Sequence, residues 1–256
     1  MNLLNTIPFQ PIVFGIPINI HLILEYLAFF IAFRYYIYLK KNTDDPISKH
    51  QRMQIILGAV VGAFIGSRLF AYLENPVEIS SSNVWAISQG KTIMGGLFGG
   101  LLGVEWTKKR IGVTQSSGDL FTFPILLGIG IGRVGCFLSG TLEATYGTVT
   151  SQPWGMNLGD GLSRHPIALY EILFIIFLAA ILYKIKSITN RTPGLQFKIF
   201  MISYFGFRFG IEFIKPNIFY LWEMSSIQWL CISCWIYYYK TLAKGILYAG
   251  KKVHVL

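Results

Sequence analysis

Arg34, Arg68, Arg133 and Arg208 stand inside stretches that are otherwise apolar enough to cross a bilayer. An arginine at the centre of a membrane helix costs roughly 2.5 to 3.5 kcal/mol on the insertion scale, so a chain that keeps several has a use for them. A guanidinium grips phosphate oxygens through a bidentate fork, and the anion that a membrane supplies in quantity is a lipid phosphate. The competing reading is a set of structural ion pairs, with Arg208 and Glu212 at helical i,i+4 spacing as the clearest instance.

The rest of the chain confirms the setting. Of 256 residues, 53% are hydrophobic and only 13% charged, with a mean hydropathy of +0.52, which excludes an ordinary soluble domain. A net charge of +10 would suggest nucleic acid in a soluble protein. Here the basic residues fall in loops between apolar runs, so no nucleic-acid partner is expected. Runs near the ~20 residues that span the hydrocarbon core are His21 to Leu39, Met53 to Leu73, Thr92 to Trp106, Leu120 to Leu138, Ile167 to Tyr183, Phe197 to Phe213, and Ile218 to Tyr239. The loops after the first, third, fifth and seventh runs hold 15 Lys and Arg, against three on the other side (Lys91, Arg164 and Lys215). That bias puts the N-terminus outside and the C-terminus in the cytoplasm. The expected fold is an all-α polytopic membrane protein with seven transmembrane helices. It forms a single domain over residues 1–256, with one longer extracytoplasmic loop at residues 139–166. No removable signal peptide is expected.

Orientation becomes a depth map. Tyr26, Gly95, Gly96, Tyr170 and Glu171 lie early in inward-running spans, while Arg68, Arg133, Arg208 and Glu212 lie late in outward-running ones. All converge on the outer half of the bilayer. Arg34 lies near the cytoplasmic end of its span, where it can snorkel. At the outer depth Arg68, Arg133 and Arg208 outnumber Glu171 and Glu212, which argues for a missing anion. Gly95, Gly96, Gly99, Gly100 and Gly103, and Gly128 with Gly132, give the small-residue spacing of closely packed membrane helices. Gly130 to Gly135 also spells G-x-G-x-x-G, but without a preceding strand it is no dinucleotide site. Cys231 and Cys234 lack a second ligand pair, so no metal site is expected.

The segment from Asp119 to Phe137, DLFTFPILLGIGIGRVGCF, resembles the signature of the bacterial prolipoprotein diacylglyceryl transferases, in which Asp and Pro lead into a Gly-rich helix ending G-R-x-G-N-F. Gly66-Ser-Arg68, His165-Pro-Ile-Ala-Leu-Tyr-Glu171 and Tyr204-Phe-Gly-Phe-Arg-Phe-Gly-Ile-Glu212 match further family motifs in order. Three positions depart from the pattern. The family's H-G-G is Met94-Gly95-Gly96, its Asn is Cys136, and its N-G-E is Ser139-Gly140-Thr141, with the nearest acid at Glu143.

The resemblance implies transfer of the diacylglyceryl group of phosphatidylglycerol to the lipobox cysteine of exported prolipoproteins, the first step of lipoprotein maturation. The enzyme would be a multi-pass protein of the bacterial plasma (inner) membrane, a monomer among membrane lipids, needing no metal or cofactor. Arg133 and Arg208 would hold the phosphate with Glu212 orienting Arg208. Arg68, Tyr26, Gly95, Gly96, Tyr170, Glu171 and Tyr204 would complete the phospholipid site. With Met94 unable to move a proton, His21 and His165 are the outer histidines that could activate the thiol, unless the arginines do so alone. Loss of Arg133 or Arg208 is expected to stop transfer and spare the fold. The alternatives are a transferase with another acceptor, or a non-catalytic phospholipid-binding or transport protein.

Overall fold

The computed structural model describes residues 7–74, 90–189 and 191–243. Lys244, Lys251, Lys252 and His254 lie outside the described residues. The chain divides into two compact units, each made of separated segments: residues 1–44, 117–200 and 213–216 in the first, and 45–116, 201–212 and 217–256 in the second.

The first unit opens with a short hairpin, β1 (Ile12–Val13) and β2 (Ile16–Pro17), leading to α1 (Ile20–Lys41). Asn19 starts that helix by accepting a hydrogen bond from the Leu22 amide at 3.0 Å, and Lys40 and Lys41 at its end complement the helix dipole. The second long helix of this unit, Asp119–Ser139, packs along α1, and a third, Ile167–Lys184, packs on it in turn. Asp119 accepts from the backbone amides of Gly194 (2.5 Å) and Phe197 (3.0 Å), so the acid that opens the motif helix anchors the chain entering the helix Leu195–Ile211.

Residues 139–166 are not featureless. After a 3₁₀ turn at Gly140–Leu142 they form a two-stranded hairpin, Met156–Asn157 with Ser163–Arg164, tied at Thr148 to the Ile214 carbonyl by a 2.8 Å backbone bond. Arg164 donates to Asp160 at 2.6 Å and to the Gly147 carbonyl at 3.2 Å. Its guanidinium holds the Asp160 carboxyl below the usual carboxylate range.

In the second unit α2 (Lys49–Glu74) and α3 (Ile93–Ile111) lie backbone against backbone. In chain order the helices already described are then α4 (Asp119–Ser139), α5 (Ile167–Lys184) and α7 (Leu195–Ile211), with the single turn α6 (Lys186–Thr189) before the last and α8 (Ser226–Tyr237) after it. A Cβ on Gly62 would meet the Gly99 carbonyl oxygen at 2.3 Å, and one on Gly99 would meet that of Gly62 at 2.3 Å. Gly66 and Gly95 are locked together in the same reciprocal way at 2.3 Å. Gly95 is therefore committed to helix packing, whereas Gly96 has ordinary 3.8 Å contacts only.

Four helical segments are long and apolar enough to cross a membrane among the described residues: Ile20–Lys41, Lys49–Glu74, Asp119–Leu142 and Ile167–Lys184. They coincide with the first, second, fourth and fifth expected spans. Of the others, α3 has 19 residues but ends in a charged turn, α7 has 17, and α8 covers 12 residues where 22 were expected. The 3₁₀ turn Leu221–Glu223 contains Trp222 and Glu223 at φ of 56° and 54°, and Ser225 begins α8 with a capping box to Gln228. Helical backbone thus starts only after Ser225.

Replacing Gly99 or Gly62 by Ala should push α2 from α3 and cost about 1–3 kcal/mol, read as a lower midpoint of unfolding in detergent. Gly132→Ala meets nothing within 4 Å and serves as the control that keeps the wild-type midpoint. Equal midpoints for all variants would show that the α2 and α3 backbones are not in this contact.

Candidate active site

Arg133 and Cys136 are three residues apart on α4, which places them on one face near the end of the helix. An Arg133 terminal nitrogen lies 3.6 Å from the Cys136 sulfur, and its Nε lies 2.8 Å from Oε1 of Glu171 near the start of α5. Glu171 is fully buried and Arg133 nearly so. Two buried charges survive at this position because each neutralises the other.

Between Arg133 and Cys136 the motif glycine Gly135 leaves a gap that α1 fills. A Cβ there would sit 3.3 Å from both the Cα and Nδ1 of His21. The imidazole of His21, the second residue of α1, is thus packed against the backbone of Gly135, the residue before Cys136. The ends of α1, α4 and α5 that carry His21, Arg133, Cys136 and Glu171 thus meet in one cluster inside the first unit. Cys136 was not among the candidate site residues. Its departure from the family's Asn was the available signal.

In the second unit Arg208 donates to Glu212 at 3.1 Å, the i,i+4 pair that the sequence suggests. Glu212 is fully buried and also accepts from Asn217 Nδ2 at 2.7 Å and Ser225 Oγ at 3.0 Å. One carboxylate therefore orients Arg208 and ties down the loop that leads to α8. Asn217 and Ser225 are absent from the sequence candidates. Ser225 was detectable through the S-x-x-Q pattern before an apolar run, while nothing local marks Asn217.

Arg68 donates to the Gly90 carbonyl at 2.5 Å, with its guanidinium 5.4 Å from the Phe64 ring centre. Each of Arg68, Arg133 and Arg208 hence has an acceptor within the protein. This corrects the inference of a missing anion from three arginines and two carboxylates, which left backbone carbonyls out of the count. The structural ion-pair reading holds for Arg133 and Arg208, and any ligand role must be played by an arginine already paired.

His165 and Tyr170 contact each other, Nδ1 to the phenol oxygen, at 3.1 Å. Tyr204 is fully buried on α7, whereas Tyr26 is exposed on α1, as a lipid-facing anchor would be. Met94 is buried in α3, where it packs as an apolar side chain.

Apolar helices of membrane-spanning length, with arginines paired to buried carboxylates inside them, define a multi-pass helical membrane protein. The prolipoprotein diacylglyceryl transferase family matches residues 11–242, and the chain belongs to that family of enzymes. Relatives named phosphatidylglycerol-prolipoprotein diacylglyceryl transferase include one from Wolbachia pipientis wMel, 32% identical over 87% of this chain and 90% of its own length. One from Photobacterium profundum is 32% identical over 74% of each chain, and one from Bordetella parapertussis is 37% identical over 69% of this chain and 70% of its own.

The buried pair alters the expectation that Arg133 can be lost without cost, since a Gln there strands Glu171 in the interior. Arg133→Gln and Glu171→Gln should each destabilise the protein by about 3–5 kcal/mol. The double variant should lose much less than the sum, a coupling that a double-mutant cycle by denaturation in detergent measures directly. Additive losses would mean that the two side chains do not interact.

Proposed function

We propose that this chain moves the diacylglyceryl group of phosphatidylglycerol onto the lipobox cysteine thiol of exported prolipoproteins. It would do so in the bacterial plasma membrane, with seven spans, the N-terminus outside and the site in the outer leaflet. Family membership over nearly the whole chain supports the substrates. The lysine and arginine asymmetry supports the orientation. The reading is carried by one observation above all: Arg133 of the signature helix is buried, oriented by Glu171, and set beside an imidazole and a thiol.

The reaction forms a carbon–sulfur bond at the glycerol carbon and breaks the carbon–oxygen bond to phosphate, which leaves as glycerol phosphate. Negative charge grows on the departing phosphate, and a preoriented guanidinium in a dry site is the group that stabilises it. Arg133 serves that role, with Arg208 as the second arginine and Glu212 as its positioning partner. Tyr170, Tyr204 and Arg68 contribute to the phospholipid site, Gly95 through the packing of α3 and Gly96 through the wall beside it. Tyr26 anchors α1 at the interface. The attacking thiol must lose a proton, and His21 is the histidine that sits at the Arg133 cluster. His165 is engaged with Tyr170 and is the weaker claimant.

Transfer of labelled diacylglyceryl from phosphatidylglycerol to a lipobox peptide in proteoliposomes tests the activity. Absence of product with well-folded protein sinks the proposal. Arg133→Lys keeps the charge but loses the fork and should lower the rate by about 10²-fold.

A second test concerns the base. His21→Gln should lose the rate at neutral pH and recover part of it at higher pH, where the substrate thiol ionises unaided, while His165→Gln keeps the wild-type profile. An unchanged profile for His21→Gln excludes imidazole catalysis and leaves thiol activation to the arginines.

A further inference from the structure

The hairpin that precedes α1 turns on Phe14 and Gly15, with Val13 paired to Ile16 on either side. Both turn residues lie in the left-handed region, at φ of 51° and 78°, in the kind of two-residue turn that favours Asn-Gly. A bulky aromatic is costly in that backbone. Phe14 gains no packing within the protein in return, because it is 100% exposed. Ile12, Val13 and Ile16 beside it are exposed as well, and none of residues 7–24 is Asp, Glu, Lys or Arg. An exposed apolar patch of this kind marks a surface that another apolar body covers.

The base of the hairpin is fixed. Phe9 donates from its backbone to the Leu138 carbonyl of α4 at 2.8 Å, and Ile18 donates to the Pro11 carbonyl at 2.9 Å. Only Ile18 and Asn19 separate β2 from α1, whose exposed Leu22, Ile23, Tyr26 and Leu27 belong to a helix long and apolar enough to cross the bilayer. The apolar surface of the hairpin therefore continues, along the chain, the lipid-facing surface of a membrane span. The other hairpin of this unit is the contrast, since its turn carries Asp160 bonded to Arg164.

We propose that the β1–β2 hairpin is a membrane-inserting finger whose tip, Ile12 to Ile16 with Phe14 foremost, enters the leaflet in which α1 begins and rests among acyl chains below the headgroups. The bilayer is its occupant because α1 holds it there: the chain between Phe14 and Ile20 spans at most roughly 20 Å, so the tip cannot leave the membrane surface. An uncharged tip of β-branched and aromatic side chains is stabilised in the apolar side of that interface and gains nothing from water. With Phe9 bonded to the end of α4, a hairpin seated in the leaflet also ties that helix end to the membrane surface. Insertion depends on the membrane setting alone and not on the transferase reading.

The test uses the full chain in proteoliposomes, with spin labels on cysteines introduced one at a time by Ile12→Cys, Phe14→Cys and Ile16→Cys. Each label reports collisions with oxygen, which concentrates among acyl chains, and with a water-soluble nickel chelate. The three native cysteines are buried, and the unsubstituted protein treated in the same way gives the background. Oxygen collisions should exceed nickel collisions at all three positions, and the order should reverse for Ser151→Cys in the exposed loop. Nickel in excess at Phe14 means that the tip stands in water and overturns the proposal. A label at Phe14 that neither probe reaches is covered by protein, whether a second copy or a precursor peptide, and overturns it equally. A second arm separates insertion from folding. Phe14→Asn suits the left-handed backbone, so its midpoint of unfolding in detergent should be no lower than wild type, while a label at Ile12 should gain nickel collisions and lose oxygen collisions. Unchanged collisions at Ile12 remove Phe14 from the role.

Discussion

A guanidinium placed in a low-dielectric interior must be given an acceptor, and two arginines of this chain meet that requirement in different ways. Arg133 reaches across from α4 to Glu171 on α5, so its pair is also a tie between helices. Arg208 finds Glu212 one turn further along the same stretch of chain, and the helix-to-loop tie comes instead from Asn217 and Ser225 on that carboxylate. In both cases the carboxylate is fully buried and fixes the direction of a planar, forked donor. Fixed direction is what a site needs if it is to meet charge that develops only during reaction, because no reorganisation then remains to be done.

Side chains that have been deleted matter as much as those present. In the second unit Gly62, Gly66, Gly95 and Gly99 of α2 and α3 face each other so closely that a Cβ on any of these four would enter a carbonyl oxygen. That contact is steric and serves the fold. Gly135 on α4 does something else, since the space it leaves is taken by His21. The last glycine of the signature is thus the reason that an imidazole from the first helix stands against the backbone of the fourth. A residue of any size there would separate the two helices that carry the cluster.

What could be read beforehand divides along the same physical line. Helical periodicity delivers partners three or four residues apart, so Arg208 with Glu212 was legible from spacing. Arg133 with Glu171 and His21 against Gly135 were not, because they join helices distant in sequence and depend on packing that no local pattern encodes. Hydropathy located every described long helix yet overran α8, where Trp222 and Glu223 adopt positive φ and Ser225 sets the start. The count of charges at the outer depth misled because Arg68 is served by a backbone carbonyl, and carbonyls leave no trace in a composition.

The two main departures from the family pattern have unequal consequences. Met94 stands in α3 where the family pattern has a histidine, and it is buried as packing. Cys136 replaces an amide in α4. An amide offers two strong donors and an acceptor, whereas a thiol offers a weak one of each, so Arg133 here depends more heavily on Glu171 for its orientation. In exchange the position gains a titratable sulfur. The change on α4 lies against the buried arginine, so it acts on the cluster directly, whereas the change on α3 is absorbed as packing.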